Sequence, residues 1–338
     1  MQADARQANR SGPTPDAADG FRAAVRTWLA ANCPESMRSP WRTDADVCWG
    51  GRGFAFQSAD QRLWLERMAA RGWTAPSWPR EYGGGGLDRE QAKILKEELA
   101  RIHARPPLMS FGISMLGPAL LKFGTEEQKR QHLPPVVRGE IRWAQGYSEP
   151  NAGSDLASLQ ARCEDRGDHF ILNGSKIWTS YGDLGDWIFC LVRTDFAASK
   201  QMGISFVMFD MATPGVTTRP IRLISGKSPF TETFFQDVRV EKDQVIGGLN
   251  QGWTVAKYLL THEREMIAGA GLSSAGSTPL SKTAVHRLDT ENGVLRNSAL
   301  RADIARFEMD EQCLDLTIER ARDEAQAGAS LGAFASMF

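Results

Sequence analysis

The 338-residue chain predicts an α+β multidomain fold: an N-terminal helical domain, a central antiparallel β-barrel-like domain and a C-terminal helical bundle. Two observations predict it. Apolar residues recur at helical spacing over 21–141, alternate with period 2 over 142–248, and return to helical spacing over 249–338. β-Branched and aromatic residues concentrate in the middle stretch, in short runs bounded by Gly, Pro, Asn or Asp.

Residues 1–20, polar and rich in Ala, Asp, Gly and Pro, are expected to form a flexible tail. In the first helical stretch, "FRAAVRTWLAANC" and "REQAKILKEELARIH" carry amphipathic stripes, and "GTEEQKRQHLPPVVRG" opens with Thr125 and Gln128 in capping-box spacing. "DHFILNG", "DWIFCLVRT", "GISFVMFD", "GVTTRPI" and "TETFFQDVRV" read as strands, with Asn173-Gly174 expected as a hairpin turn. In the last stretch Ile304, Phe307, Cys313, Leu314 and Ile318 fall on one helical stripe, and "AGAGLSSAGSTPLSK" is expected to be a flexible break.

Composition excludes several classes. A formal net charge of −1 without long charged blocks argues against nucleic-acid and anionic-membrane binding. The polar first residues and the absence of a spanning-length apolar run predict a cytoplasmic protein. Five scattered cysteines without CxxC spacing predict free thiols, and five histidines without HxxxH or HExxH spacing predict no metal site. "YGGGGLDRE" satisfies neither GxGxxG nor GxxxxGK[ST] and reads as a turn, and no G-x-S-x-G serine elbow occurs.

Two polar loops remain. "WAQGYSEPNAGSDLASL" offers backbone amides and hydroxyls around Asn151, Gly153, Ser154 and Asp155, and "LNGSKIWTSYGDLGDW" sets Trp178 beside Thr179 and Ser180. Together they suit a flat polar heterocycle; core tryptophan and ordinary turn residues are the plain alternative. In "GWTVAKYLLTHERE", Glu263 stands four residues from both Leu259 and Ile267 and so follows the apolar stripe, whereas Glu265 faces a mixed side. A carboxylate among aliphatic groups suits a general base near neutral pH, and a helix-end Glu paired with Arg is the other reading.

With these residues in place, the chain resembles the FAD-dependent acyl-CoA dehydrogenases. "SEPNAGSD" followed by "LNGSKIWTS" carries the resemblance, supported by "FRAAVRTWLAA", "GWTAPSWPREYGG", "LLKFGTEEQKRQHLPP", "FFQDVRV" and "NQGW". The resemblance implies that Gln145, Tyr147 and Ser148 meet the flavin edge, that Trp178, Thr179 and Ser180 cover its other side, and that Ser154 meets the thioester ligand. "HER" matches the long-chain and branched-chain arrangement, which implies Glu263 as the base and Arg264 as the ligand-binding arginine. The implied reaction converts an acyl-CoA to a trans-2-enoyl-CoA within lipid β-oxidation, with electron-transferring flavoprotein as acceptor and a homo- or hetero-oligomer (a dimer of dimers, a tetramer) as the assembly. Ala100, Gly112 and Ser114 either line an acyl-tail pocket or permit close helix packing.

Three departures stand against the family pattern. Asn151 replaces the usual glycine of "EPGAGSD", no R-x-x-F-G stretch occurs between Met266 and Arg301, and the sequence stops at "GASLGAFASMF", inside what resembles the C-terminal bundle. The bundle is therefore expected to be truncated, or the chain to be a partner-dependent, even non-catalytic, subunit of a heteromeric enzyme. A same-fold flavin monooxygenase is a further alternative, which the Glu-Arg pair of "HER" opposes.

Overall fold

The computed structural model describes residues 15–271 and 279–326. The chain divides into two compact units, Met1–Glu263 and Arg264–Phe338.

The first unit opens with five helices: α1 (Pro15–Asn32), α2 (Ala59–Ala70), α3 (Arg89–Arg101), α4 (Gly117–Phe123) and α5 (Glu126–Val137). Helix α1 begins inside the expected tail, because the apolar stripe that ends in Val25 and Leu29 needs a preceding turn to carry it. Ser58, Asp88 and Thr125 cap α2, α3 and α5, and Thr125 and Gln128 form the expected reciprocal box. Val25, Leu29, Trp64, Met68, Trp73 and Leu95 make the helical core. Each such burial contributes about 1.5–3 kcal/mol. Gly112–Leu116, leading into α4, is wound as a π-helix. A Cβ on Gly112 would lie 2.8 Å from the Trp143 ring, so this glycine serves close packing. Ala100 is exposed.

Strands follow: β1 (Trp143–Gly146), β2 (Arg162–Asp165), β3 (His169–Ser180), β4 (Trp187–Arg193), β5 (Ile204–Asp210), β6 (Val216–Ile221), β7 (Phe230–Glu241) and β8 (Val245–Ile246). They form one sheet in the order β6-β7-β3-β2-β4-β5-β8, with β1 added on β4. The path is open, since β6 and β8 do not pair among the described residues, so the barrel-like sheet is not closed. The sheet is also mixed: β1 runs parallel to β4, as does the single Arg162–Arg193 pairing of β2 with β4. Its core gathers Ala144, Cys163, Phe170, Leu172, Ile188, Cys190, Val192, Val207, Phe235 and Val238.

Asn173-Gly174 lies within β3 and makes no hairpin turn. Gly174, at φ +144°, marks a register shift against β7, and a Cβ there would lie 2.8 Å from the Ala161 backbone. The turn between β2 and β3 is made one step earlier at Gly167 (φ +95°), where the Arg166 amide donates to the His169 carbonyl at 2.8 Å. A left-handed glycine fits a hairpin and a bulge alike, which is why local sequence misplaces it.

Helix α6 (Gly252–Gly271) follows, and the first unit ends within it at Glu263. The second unit holds α7 (Leu280–Arg287), the short hairpin β9 (Thr290–Glu291) and β10 (Val294–Leu295), and α8 (Ser298–Gln326). Ala284, Leu295 and Ile304 pack together there. Of the stripe expected on α8 only Ile304 is buried, while Phe307, Cys313 and Leu314 are exposed. Residues 272–278 of the expected flexible break lie outside the described residues, and its two ends run into α6 and α7.

Candidate active site

The site is assembled where the "SEPNAGSD" loop, the end of β3 and α6 meet. The loop is held by its own chemistry. Glu149 and Ala152 exchange backbone hydrogen bonds of 3.1 and 3.0 Å, and the Glu149 carboxylate accepts from the amides of Gln160 (2.6 Å) and Ala161 (2.9 Å). Lys176 of β3, fully buried, donates to Glu149 Oε1 at 2.7 Å and to the Tyr147 carbonyl at 3.1 Å. Burial pushes the Lys176 ammonium below the usual lysine range, with Glu149 acting against that shift. Asn151 is not left-handed, so the glycine usual in the family loop is not demanded by this backbone.

One main-chain bond joins the two signature segments: the Ile177 amide donates to the Ser148 carbonyl at 2.9 Å. Immediately after it β3 bulges, with a register shift against β7 between Lys176 and Thr179. Trp178 takes φ +60° at this bulge and its indole is turned outward, 53% exposed, with only an edge contact to Phe230 at 6.0 Å. A left-handed tryptophan is costly, and its persistence marks a position where the outward indole is wanted.

The predicted residues divide by what their side chains can reach. Ser148 and Ser180 are half-buried, and neither hydroxyl has a hydrogen-bond partner among the described residues. Thr179 is fully buried, with its Oγ1 taken by Thr233 at 3.2 Å, so its side chain belongs to the sheet. Tyr147 also turns inward, edge-on to Phe189 and Phe206, and its buried hydroxyl has no partner. Burial, then the neighbouring Glu263 charge, pushes that phenol well above the usual tyrosine value. Ser154 is exposed on the loop. An outward indole beside two free hydroxyls fits a flat, polar isoalloxazine-like ring; Thr179 and Tyr147 can offer such a ring only their main chain.

On α6, Val255, Ala256 and Leu259 are buried, and Glu263 follows them at the half-buried end of the same stripe. Gln145 Nε2 donates to Glu263 Oε2 at 3.1 Å, joining β1 to α6. The side chain of Arg264 lies outside the described residues.

The chain matches the family descriptions "Acyl-CoA dehydrogenase, N-terminal domain" over residues 16–140 and "Acyl-CoA dehydrogenase, middle domain" over residues 144–238. The chain belongs to the acyl-CoA dehydrogenase family. Among related proteins, this acyl-CoA dehydrogenase chain is 41% identical over 245 residues to acyl-CoA dehydrogenase IpdE1 of Mycobacterium tuberculosis, a match covering 72% of the chain and 62% of that relative. The match thus spans less than two thirds of the relative's length. Among solved structures, it resembles the Tcur3481-Tcur3483 steroid ACAD with 32% identity and a TM-score of 0.71, covering 96% of this chain and 80% of that one. It also resembles the ChsE4-ChsE5 complex from Mycobacterium tuberculosis with 28% identity and a TM-score of 0.68, covering 97% and 81% of the two chains.

Among the described residues no helix is long and apolar enough to cross a membrane, and no cluster of three or more His, Cys, Asp or Glu could hold a metal. The five cysteines are free thiols, four of them buried. Burial pushes Cys163 and Cys190 up to about 12 and Cys48 up to about 11, which leaves these thiols inert.

Sequence reasoning missed three features near this site. The Lys176–Glu149 pair joins a strand residue to a loop residue 27 positions away and carries no local signal. The carboxylate of Asp186, which accepts from the amides of Arg52 (2.9 Å) and Arg142 (2.8 Å), ties the helical segment to the sheet. Arg142 itself, 8% exposed, left only a weak local signal, a lone cation at the entry to an apolar strand.

Proposed function

We propose that this chain carries out the α,β-dehydrogenation of an acyl-CoA thioester to a trans-2-enoyl-CoA, with Glu263 as the base. The observation that carries the reading is the Gln145–Glu263 hydrogen bond, which sets a half-buried carboxylate against the strand leading into the signature loop. Gln145 donates to one carboxylate oxygen and fixes its plane; the other oxygen is left to take the α-proton of the thioester. FAD, when bound, supplies the acceptor for the β-hydride. The exposed Trp178 indole, the Ser148 and Ser180 hydroxyls and the main chain of Gln145, Tyr147 and Thr179 would hold it. Ser154 and Arg264 are assigned to the CoA thioester, and electron-transferring flavoprotein is the acceptor we assign for the reduced cofactor.

The substrate class we favour is a bulky, ring-bearing acyl-CoA, because one similar structure is described as a steroid enzyme. Two similar structures are described by two components each, which supports a heteromeric assembly in which this chain is one of the two subunits.

Glu263→Gln tests the reading. The expected result is a loss of turnover of about 10²–10⁴-fold with flavin content per chain unchanged. Turnover equal to the wild type would place the base elsewhere.

A further inference from the structure

A cavity in the first unit lies beside the residues assigned above, its Tyr181 directly following Ser180. It is a cleft of about 560 Å³ between the 44–57 segment and the turn at 181–186, and none of the residues assigned to FAD or the thioester lines it. That volume is of the size that holds a small organic molecule.

Arg142 stands in its wall. The residue is 92% buried (8% exposed), and its guanidinium carbon lies 4.7 Å from the Trp49 ring and 5.0 Å from the Tyr181 ring. The two rings are themselves 5.1 Å apart, so the cation rests over their common edge and keeps its donor edge free. Among the described residues its guanidinium makes no hydrogen bond to a protein oxygen, and only its backbone amide reaches a carboxylate. Of the three carboxylates that line the cleft, two are engaged elsewhere and the third, Asp183, acts on the guanidinium only through space. Asp186 takes the Arg52 and Arg142 amides and lies 3.4 Å from the Arg52 guanidinium, Asp44 pairs with Lys227, and Asp183 is exposed. Burial still pushes the Arg142 guanidinium below its usual value, against the opposing effects of Tyr181, Asp183 and Asp186.

The wall is a built one. Tyr181 is held at φ +50° by a 2.8 Å bond from its amide to the Pro229 carbonyl. Arg52 bonds both the Asp186 carbonyl and the Asp210 carboxylate. A largely buried cation with no carboxylate bonded to it is a poor way to stabilise a fold and a good way to hold an anion.

We propose that this cleft is a binding subsite for a carboxylate on an apolar body, with Arg142 as a two-pronged anchor and Trp49, Phe54 and Val47 as the apolar wall. A monoanion is favoured over a phosphate because Asp44, Asp183 and Asp186 also line the cleft and repel a dianion more strongly. The same chemistry is offered by a free organic acid and by the far end of a carboxyl-ended acyl chain. The subsite goes beyond the dehydrogenation reading and does not depend on it.

Calorimetric titration of the full chain with cyclohexanecarboxylate, and with cyclohexanecarboxamide as its neutral twin, tests the assignment. The acid binds and the amide does not, and affinity for the acid falls at least about tenfold in Arg142→Gln. The same loss is expected in Ala55→Trp, which fills the exposed mouth of the cleft and leaves the cation in place, so the test survives a folding failure of the first variant. Titration with a carboxyl-ended and a methyl-ended acyl-CoA of equal length then separates the sources. If Arg142→Gln weakens only the carboxyl-ended thioester, the subsite receives the end of the substrate. If it weakens the free acid and neither thioester, the subsite receives a separate organic acid. If neither the acid nor the carboxyl-ended thioester shows binding that depends on Arg142, or if acid and amide bind alike, the proposal is overturned. Binding is read here without turnover, so the Glu263 assignment stands or falls separately.

Discussion

Lys176 shows how a single residue can decide the shape of the candidate site. Its ammonium is fully buried and satisfied by one carboxylate and one carbonyl, and the same carboxylate fixes the loop through two amides. Lys176→Met leaves Glu149 as a buried charge without its cation. It is expected to lower stability by about 3–5 kcal/mol, read from urea midpoints. A shift below about 1 kcal/mol would mean that the two amides alone hold Glu149. At this scale the sequence was readable where a residue's role depends on neighbours along the chain. The Thr125–Gln128 box and the side of α6 on which Glu263 lies follow from spacing alone. Residues whose surroundings come from elsewhere were not readable. Tyr147 turns inward because Phe189 and Phe206 receive it, and Arg142 is stranded because Asp186 is occupied by amides.

Among the elements, α1 and α3 are joined by more than their apolar faces. Glu98 of α3, 1% exposed, receives Arg26 at 2.8 Å, Arg101 at 2.7 Å and Arg22 at 3.0 Å. Arg26 first, with Arg101 and Arg22, pulls its carboxyl down to about 2, against the opposing effect of burial. The sign of the pH effect follows directly. A carboxyl depressed in the fold binds fewer protons there than in the unfolded chain, so its stabilisation is complete above about 4.5 and is lost as pH falls toward 2. Wild type is expected to lose urea resistance across that window, and Glu98→Gln, weaker at neutral pH, to lose less. Parallel curves for the two proteins would count against the clamp. The strands show the limits of an element-level reading. Alternation marks β3 as a strand, yet its two irregularities, at Gly174 and before Thr179, come from pairing with β7, and the second throws Trp178 out to solvent. The open path of the barrel-like sheet was hidden in the same way, since closure is a property of which edges meet and period 2 carries no record of that.

For the first unit as a whole, the question is how its helices are fastened to its sheet. Helix α5 supplies the fastening. Gln128 Nε2 donates to the carbonyls of Asp243 (2.6 Å) and Val245 (3.0 Å), and His132 Nε2 meets Gln244 Oε1 at 2.8 Å. The His132 ring is set edge-on against Trp143 and Trp187, and its Nδ1 is buried without a partner. Burial pushes His132 below its usual value of 6.5, with Gln244 and Asp243 opposing. Protonation would place a second N–H where nothing accepts it. The folded unit therefore binds this proton less readily than the unfolded chain. Its stabilisation is full above about 6.5 and declines as pH drops through the folded value. Because that window lies above the one set by Glu98, the two are separable in one experiment. Urea midpoints taken between neutral pH and mild acid are expected to fall in wild type and to stay level in His132→Gln. A decline of equal size in the variant would assign the acid sensitivity to another group and leave His132 as packing between the α5 helix and the aromatic face of β1.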